Sequence, residues 1–500
     1  MNFLAFDLGA GSGKLYLARY EDGRLSLETV CRMENGPIAI RNGLYWDIPG
    51  IWRELCNGIR KAVKITQDQI TSIGFDSFCN DFGLIGENGE LLTQIHCYRD
   101  PRTERCEKAM NEVMSSRELY RINGNQKGLF NTLPQLHAML CDNEKWLLEN
   151  SRCALFVSDL FSYLLTDRTV TEYTTASVTQ MFDYAAGAWS DTVFERFGIR
   201  ESLFAPLIMP GDTVGRTSDT INGQLKTVGF PVVAVCQHDT ASAFLGAACG
   251  RENAIISSGT WSVVGTEAET PIINEYGFLH NLANEGSVAG HHRILKNTMG
   301  TWILQEMVRE LREQDREYSF AELDEMASVY YGSSCVVDVD DIRFYAPGRM
   351  IEKIRDYCQE NGMRQPEGLG EMVYAIQAGL ALRYRMAIEE LENLTGKPLK
   401  GINIVGGGSQ STLACRLTAD ICGRTVMAGP ADATALGNVL VQMMAAGVIS
   451  SVEEGRAQIR RSFNVSEYHP AEDRTKWEIL YKDFHDRKQH GTESVQEPKG

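Results

Sequence analysis

The chain has no C-x-x-C pair, although it carries thirteen cysteines. An odd number of scattered thiols reads as packed, reduced cysteines in a cytoplasmic protein rather than as a disulfide framework. No apolar run is long enough to span a bilayer. No basic segment followed by an apolar one opens the sequence; Asp7 stands where such a leader would be. Basic charge is scarce: 49 Lys and Arg face 66 Asp and Glu, a net charge of -17. That balance argues against nucleic acid or an anionic membrane as a general partner, while local loops and a metal ion can still hold an anionic substrate. No low-complexity linker divides the chain. What remains is a 500-residue sequence with a 43% hydrophobic fraction, enough for a large core and roughly two to four domains.

The stretch 3-FLAFDLGAGSGKLYLARY-20 predicts a β-hairpin, with a strand over Phe3–Asp7, a small-residue turn over Leu8–Lys14 and a strand over Leu15–Tyr20. Gly9, Gly11 and Gly13 let backbone N–H groups approach an anion, and Ser12 and Lys14 add a hydroxyl and a positive charge. An aspartate at the strand end, Asp7, suits a hydrated Mg2+, which takes few carboxylates plus phosphate oxygens. The stretch is not a Walker loop, since Gly9 to Gly13 is one residue short and Leu15 follows Lys14. Nor is it a dinucleotide loop, because that opens a helix and this one opens a strand. An ordinary hairpin with a flexible turn accounts for the same residues, so the stretch by itself leaves both readings open.

Further strands are expected over Arg24–Glu28 and Gly43–Trp46, and helical spacing (Ile51, Leu55, Ile59, Val63) runs through Ile48–Lys64. Ile70–Asp76 reads as a buried strand with the polar loop 76-DSFCND-81 at its carboxyl end, where ligands sit in open α/β sheets. The phrase 98-YRDPRTE-104 gathers Arg99, Asp100 and Arg102; a solvated loop is the plainer account of both phrases. Residues 111–165 look mainly helical, and Pro210–Gly215 reads as a turn. A strand over Pro231–Cys236 leads into 237-QHDT-240 and a small-residue helix over Ala241–Cys249. Asp239 therefore stands at a strand-to-helix junction, either as a helix cap or as a base at a sheet edge.

The opening theme then returns. Ala254–Ser257, the turn 258-SGTWS-262 and Val263–Glu267 form a second strand-turn-strand, and a helix over 371–394 leads to strand 401-GINIV-405 and the loop 406-GGGSQ-410. This is a repeat of pattern and predicts two related α/β domains facing a cleft, with a boundary near Leu245. Helices follow over Thr412–Cys422, Asp432–Ala446 and Ala471–Arg487, with a strand over Thr425–Met427, and residues 489–500 read as disordered. Phosphate positioning by two hairpins, Mg2+ at Asp7, a nucleoside on the Gly406–Gly408 triplet and a proton acceptor at Asp239 are the parts that phosphoryl transfer needs. Exclusion of water implies domain closure over substrate.

The sequence resembles the FGGY carbohydrate kinases, and within them the branch that phosphorylates L-rhamnulose. The matching stretches run nearly the whole chain: AFDLGAGSGKLYLARY, NGLYWDI, SIGFDS with NDFGL, YRDPRT, NTLPQL, SDLFSYLLT, EYTTAS, VAVCQHDTASA, SSGTWSVVG, NEG, LKNTMGTWILQ, IVGGGSQ and AGPADATALGN. The resemblance implies an α/β fold of two actin-like ATPase (ribonuclease H-like) domains flanking a central ATP and sugar cleft. Residues 1–244 would be the sugar-binding side, 245–465 the nucleotide-binding side, and 466–500 a terminal helix and tail. It implies that Ala10, Gly11, Ser12, Gly13 and Lys14 touch ATP phosphates, with Asp7 near Mg2+ through water. Thr260 would belong to the second phosphate hairpin, and Asn297, Gln305 and Gly407 to the nucleotide side. His238, Asp239 and Thr240 would bind the sugar, with Asp239 as general base. The protein would act on a small-molecule ketose in the cytoplasm, as a monomer or small homo-oligomer.

One run departs from the family pattern. Where that branch reads D-T-W-G-V-D-F this chain has 76-DSFCNDF-82, so Cys79 stands where glycine would lie against the sugar and Phe78 replaces tryptophan. Compensated drift with L-rhamnulose retained is one reading; a pocket for L-fuculose or an L-pentulose is the other. A non-catalytic actin-like ATP-binding protein would share the hairpins and the glycine triplet but has no need of Asp239 within the HDT run. A catalytic role for the Cys79 thiol has no partner histidine to support it.

Overall fold

The computed structural model describes residues 1–142 and 144–493. Two compact units are built from interleaved segments. The first takes Met1–Gly246, Glu267–Leu295 and Ala433–Phe463; the second takes Ala247–Thr266, Lys296–Asp432 and the chain from Asn464 on.

In the first unit the opening hairpin forms as Asn2–Leu8 against Ser12–Glu21, which pairs in turn with Arg24–Glu34. On the other side of Asn2–Leu8 run Ser72–Ser77 and Pro231–Val233, both parallel to it, with Thr213–Arg216 antiparallel at the edge. Three parallel strands therefore deliver their carboxyl ends together: Asp7 is in register with Asp76, and Ser77 bridges His238. The helix Ile48–Ile65 starts where the Asp47 side chain accepts a 3.0 Å bond from Gly50 N. Its Ile51, Leu55, Ile59 and Val63 fall on one face at helical spacing and share a core with Leu4, Phe6, Leu15 and Leu17.

The same sheet also meets the helix Ala433–Ala445. That helix touches the helix Asp239–Leu245 backbone to backbone, because a Cβ on Gly437 would stand 1.8 Å from Ser242 O and one on Gly246 1.9 Å from Ala433 O. Arg456, 2% exposed, grips the fully buried Glu267 with both terminal nitrogens, at 2.8 and 3.0 Å. It thereby ties two returning segments of the unit together.

In the second unit the sheet runs Trp261–Ala268, Ala254–Ser258, Ile402–Val405, Val426–Ala428 and Ser466–Tyr468. The first pair is antiparallel, and Ala254–Ser258, Ile402–Val405 and Val426–Ala428 are parallel. The long helix Leu369–Thr395 is buried over much of its length and ends on Gly396 at φ 66°.

Several expectations change. Ser12, Gly13 and Lys14 belong to the second strand and not to the turn, which is closed by Gly9 N donating to Ser12 O (2.9 Å) and Asn35 Nδ2 donating to Gly9 O (2.8 Å). The stretch read as helical over 111–165 holds a strand, Ser151–Phe156, that pairs with Phe82–Gly86. Thr213–Arg216, within the expected turn, is an edge strand. The small-residue helix begins at Asp239 and ends at Leu245. Residues 489–493 continue the helix Thr475–Glu493, and 494–500 of the expected disordered tail lie outside the described residues.

Candidate active site

The site is built where the parallel strands of the first unit end. Asp7 and Asp76 leave adjacent strands in register, so their side chains share a face. Asp76 is fully buried; its Oδ2 accepts a 2.6 Å bond from Asn438 Nδ2, and its Oδ1 has no donor in hydrogen-bonding geometry among the described residues, with the Asp7 carboxyl close by. Burial raises its pKa well above the carboxylate range and neighbouring Asp7 raises it further; the Asn438 bond opposes this, and Asp239 adds to it. Converging carboxylates with an orphaned buried oxygen fit a cation. Among the described residues no three His, Cys, Asp or Glu side chains are arranged to coordinate a metal.

The loop 237-QHDT-240 is fixed from behind. Gln237 N donates to Glu172 Oε2 and His238 N to Thr174 Oγ1, each at 3.2 Å. Glu172 is itself buried, and burial lifts it to about 7 against the bonds it accepts from Thr174, Thr175 and Gln237. His238 takes the cap position of the following helix and Asp239 its first residue, so the capping account of Asp239 does not hold. Its Oδ1 accepts from Thr240 N at 2.6 Å and Thr240 Oγ1 at 3.2 Å. Its Oδ2 has no hydrogen-bond partner among the described residues, and the side chain is 34% exposed.

The departing run 76-DSFCNDF-82 is well anchored. Phe78 stacks on Trp46 with centroids 4.2 Å apart, and Tyr98 completes the aromatic cluster. Asp81 is buried and accepts from Trp46 Nε1 (2.6 Å), Gln135 Nε2 (2.8 Å) and Tyr98 N (2.9 Å); burial still lifts it to about 6. Thr132 Oγ1 donates to Asn80 O at 2.9 Å. Cys79 is buried, and burial first, then the charges of Asp239 and Glu285, push its thiol far up. A thiol held protonated is a poor nucleophile. In 98-YRDPRTE-104, Asp100 caps a short 3-10 helix, Pro101–Cys106, and holds Leu44 N at 2.8 Å.

In the first hairpin, Lys14 Nζ donates to Tyr16 Oη at 2.8 Å, and Ala10 and Gly11 form the turn, with open space at Gly11 where a Cβ would stand. In the second unit, Thr260 Oγ1 donates to Gln305 Oε1 at 3.2 Å, so these two expected residues do meet. Asn297 lies on the strand His292–Met299 between Lys296, paired with Glu390, and Thr298, bonded to Asp340 at 2.9 Å. No hydrogen bond joins Asn297 to Thr260 or Gln305 among the described residues. Gly406, at φ 80°, and Gly408 press on Ser258: a Cβ on Gly406 would come 2.8 Å from Ser258 O, and one on Gly408 2.1 Å from Ser258 Oγ. Gly407 between them faces open space.

Sequence reasoning assigned no role to Asp76, Glu172, Glu285, Arg293 or Asn438. Asp76 lay within a polar loop already singled out, and Glu172 and Glu285 within the EYTTAS and NEG stretches. Asn438 closed the AGPADATALGN stretch, but nothing local gave it a role, because its partner is 362 residues away.

Comparison with known proteins identifies the family. Residues 3–246 match the N-terminal domain and residues 254–446 the C-terminal domain of the FGGY family of carbohydrate kinases. A rhamnulokinase of Ligilactobacillus salivarius is 37% identical over 94% of this chain and 95% of its own. One from Bacteroides thetaiotaomicron is 36% identical over 97% and 98%. Among solved structures, a ligand-bound xylulose kinase from Lactobacillus acidophilus superposes with a TM-score of 0.82 at 15% identity over 98% of both chains. Plasmodium falciparum glycerol kinase with ADP gives 0.77 at 15% identity, covering 100% of this chain and 99% of its own.

Proposed function

The chain belongs to the FGGY family of carbohydrate kinases and is a phosphotransferase with an alcohol acceptor; from that premise we propose that it transfers the γ-phosphoryl group of ATP to L-rhamnulose. The products are ADP and L-rhamnulose 1-phosphate, in the breakdown of L-rhamnose. The names of the relatives support this ketose. The single observation that carries the chemistry is Asp239: a partly exposed carboxylate with one oxygen held by Thr240 and the other unpartnered among the described residues, beside Asp76.

In this reading Asp239 Oδ2 takes the proton of the attacking sugar hydroxyl. Thr240 keeps the carboxylate from rotating, and His238 and Cys79 border the sugar. The turn Ala10–Gly11 and the strand residues Ser12, Gly13 and Lys14 bind phosphates, as does Thr260; Asn297, Gln305 and Gly407 serve the nucleotide. Asp7 holds a hydrated Mg2+, which neutralises phosphate charge. We assign residues 1–244 to the sugar side, 245–465 to the nucleotide side apart from the segments 267–295 and 433–463 that pack in the first unit, and 466–500 to a terminal extension. The net charge of -17 supports a small-molecule partner and no nucleic acid, for a monomer or small homo-oligomer. Thirteen free cysteines support a cytoplasmic setting.

The Phe78-Cys79-Asn80 run favours a second reading, in which a related ketose such as L-fuculose or an L-pentulose is the true acceptor. ADP release with Mg-ATP and L-rhamnulose, L-fuculose, L-ribulose, L-xylulose, D-xylulose or glycerol separates them. The highest kcat/KM on L-rhamnulose is expected; a clear preference for another ketose moves the assignment to that sugar, and no release with any of them removes it.

A further inference from the structure

The NEG stretch is not absorbed by the chemistry above, yet it faces His238. Ala283–Gly286 pairs antiparallel with His292–Met299, and the register sets Glu285 directly across from Arg293. Their side chains are 7% and 0% exposed, and Arg293 Nη2 lies 2.9 Å from Glu285 Oε2. A buried charge pair of this kind cannot part without leaving an uncompensated charge. Arg293 is further fixed by Nε donating to Gly286 O at 3.0 Å and by the Phe244 ring, 5.8 Å from the guanidinium. So held, Nη2 reaches His238 Nδ1 at 3.2 Å in hydrogen-bonding geometry. Glu285 Oε2 is 3.3 Å from the same nitrogen, close enough to attract it, but outside hydrogen-bonding geometry to any donor among the described residues. A guanidinium has donors only, so Nδ1 must accept and the ring proton belongs on Nε2. Nε2 stands 3.5 Å from Asp239 Oδ1, where an N–H attracts a carboxylate and a lone pair would repel it.

We propose that Glu285 and Arg293 are positioning residues that set the tautomer of His238, so that its Nε2–H is presented to Asp239 and to an oxygen of the incoming ketose. Glu285 locks Arg293, and Arg293 locks the ring. His238 is thereby a hydrogen-bond donor to a neutral sugar, and a ketose lacking an acceptor oxygen at that point is rejected. The inference rests on the ketose-kinase reading of this site.

The first test needs no activity. In the full-length protein carrying 15N-histidine, the His238 resonances, identified by their loss in His238→Gln, should show a proton on Nε2 and none on Nδ1; the opposite tautomer overturns the proposal. The second test is a double-mutant cycle. Arg293→Met should raise ketose KM about tenfold and leave ATP KM unchanged. In a His238→Gln background, whose amide can place an N–H near the position of Nε2, Arg293→Met should have no further effect on ketose KM. Equal effects in both backgrounds mean that Arg293 acts without His238 and overturn the proposal. Should Arg293→Met fail to fold, Glu285→Gln, which keeps the volume, should give about a threefold rise in ketose KM that again vanishes in His238→Gln. A wild-type enzyme inactive on every ketose refutes the kinase reading instead, and leaves the NMR result to stand by itself.

Discussion

Each unit contains a strand-turn-strand hairpin with a parallel strand beside it, and the two hairpins are equipped in opposite ways. The first brings charge: Asp7 at one strand end, Lys14 across from it in register, and Asp76 on the neighbouring strand. The second has no charged residue between Ser257 and Val264. The tight approaches at its turn are to backbone. A Cβ on Gly300 would stand 2.4 Å from Gly259 O and 2.6 Å from Trp261 C, and Gly406 and Gly408 press on Ser258. One strand plan thus serves two purposes. In the first unit buried carboxylates accept an electrostatic penalty at the proposed site, and in the second close backbone approach shapes the turn.

The comparison breaks most sharply at Asp239. Asp239→Asn should lower kcat about a thousandfold while circular dichroism and the melting curve stay unchanged, because an asparagine oxygen can still accept the Thr240 N–H. Transfer at near wild-type rate would remove charge as the working principle of the first unit.

Charge in that unit is also structural. Arg456→Met strips the guanidinium from buried Glu267, leaving it facing His291 at 3.8 Å, and should cost about 3–5 kcal/mol, read as a lower Tm and denaturant midpoint. Burial works to raise the Glu267 carboxyl, and Arg456 and His291 override it, holding it at about 2. A depressed acid of this kind contributes stability that is complete above about pH 4.5 and lost as pH falls from there through about 2. Acid unfolding should therefore steepen across that window in the wild type and flatten in Arg456→Met.

In the second unit the sensitive positions should be glycines. Gly300→Ala forces backbone apart and should cost about 1–3 kcal/mol. Gly407→Ala meets open space, so Tm should hold while ATP KM rises about tenfold, as expected for about 1.4 kcal/mol of lost nucleotide binding. Equal losses of Tm in the two variants would erase the distinction between packing glycines and a surface glycine. The smallest effect is expected at Cys79: Cys79→Ala should keep kcat within about twofold, since a protonated thiol supplies no nucleophile, and any change should fall on the ranking of ketoses.

Much of the first unit was legible because its signals are local. Alternation in 3–20 gives the hairpin, spacing of Ile51, Leu55, Ile59 and Val63 gives the helix, and an apolar strand ending in QHDT puts Asp239 at a sheet edge. The turn was drawn too long because its closure depends on Asn35, a residue beyond the hairpin. Ser151–Phe156 was read as helix because a short apolar run suits either state, and its partner Phe82–Gly86 decides. Glu172 and Glu285 were visible as motif residues without roles, since their meaning lies in reaching Gln237 N and His238.

The sequence by itself determined the α/β class, the paired hairpins and Asp239 as the candidate base, because periodicity, turn chemistry and strand-end polarity are written within short windows. Only the tertiary structure decided that Ala433–Phe463 folds with the first unit, that Asn438 bonds Asp76, and that Arg293 reaches the Nδ1 atom of His238. Those contacts join residues with no shared local pattern. They form because a helix with a glycine at its contact and a buried ion pair each need a place in the folded unit where close packing and charge compensation are satisfied.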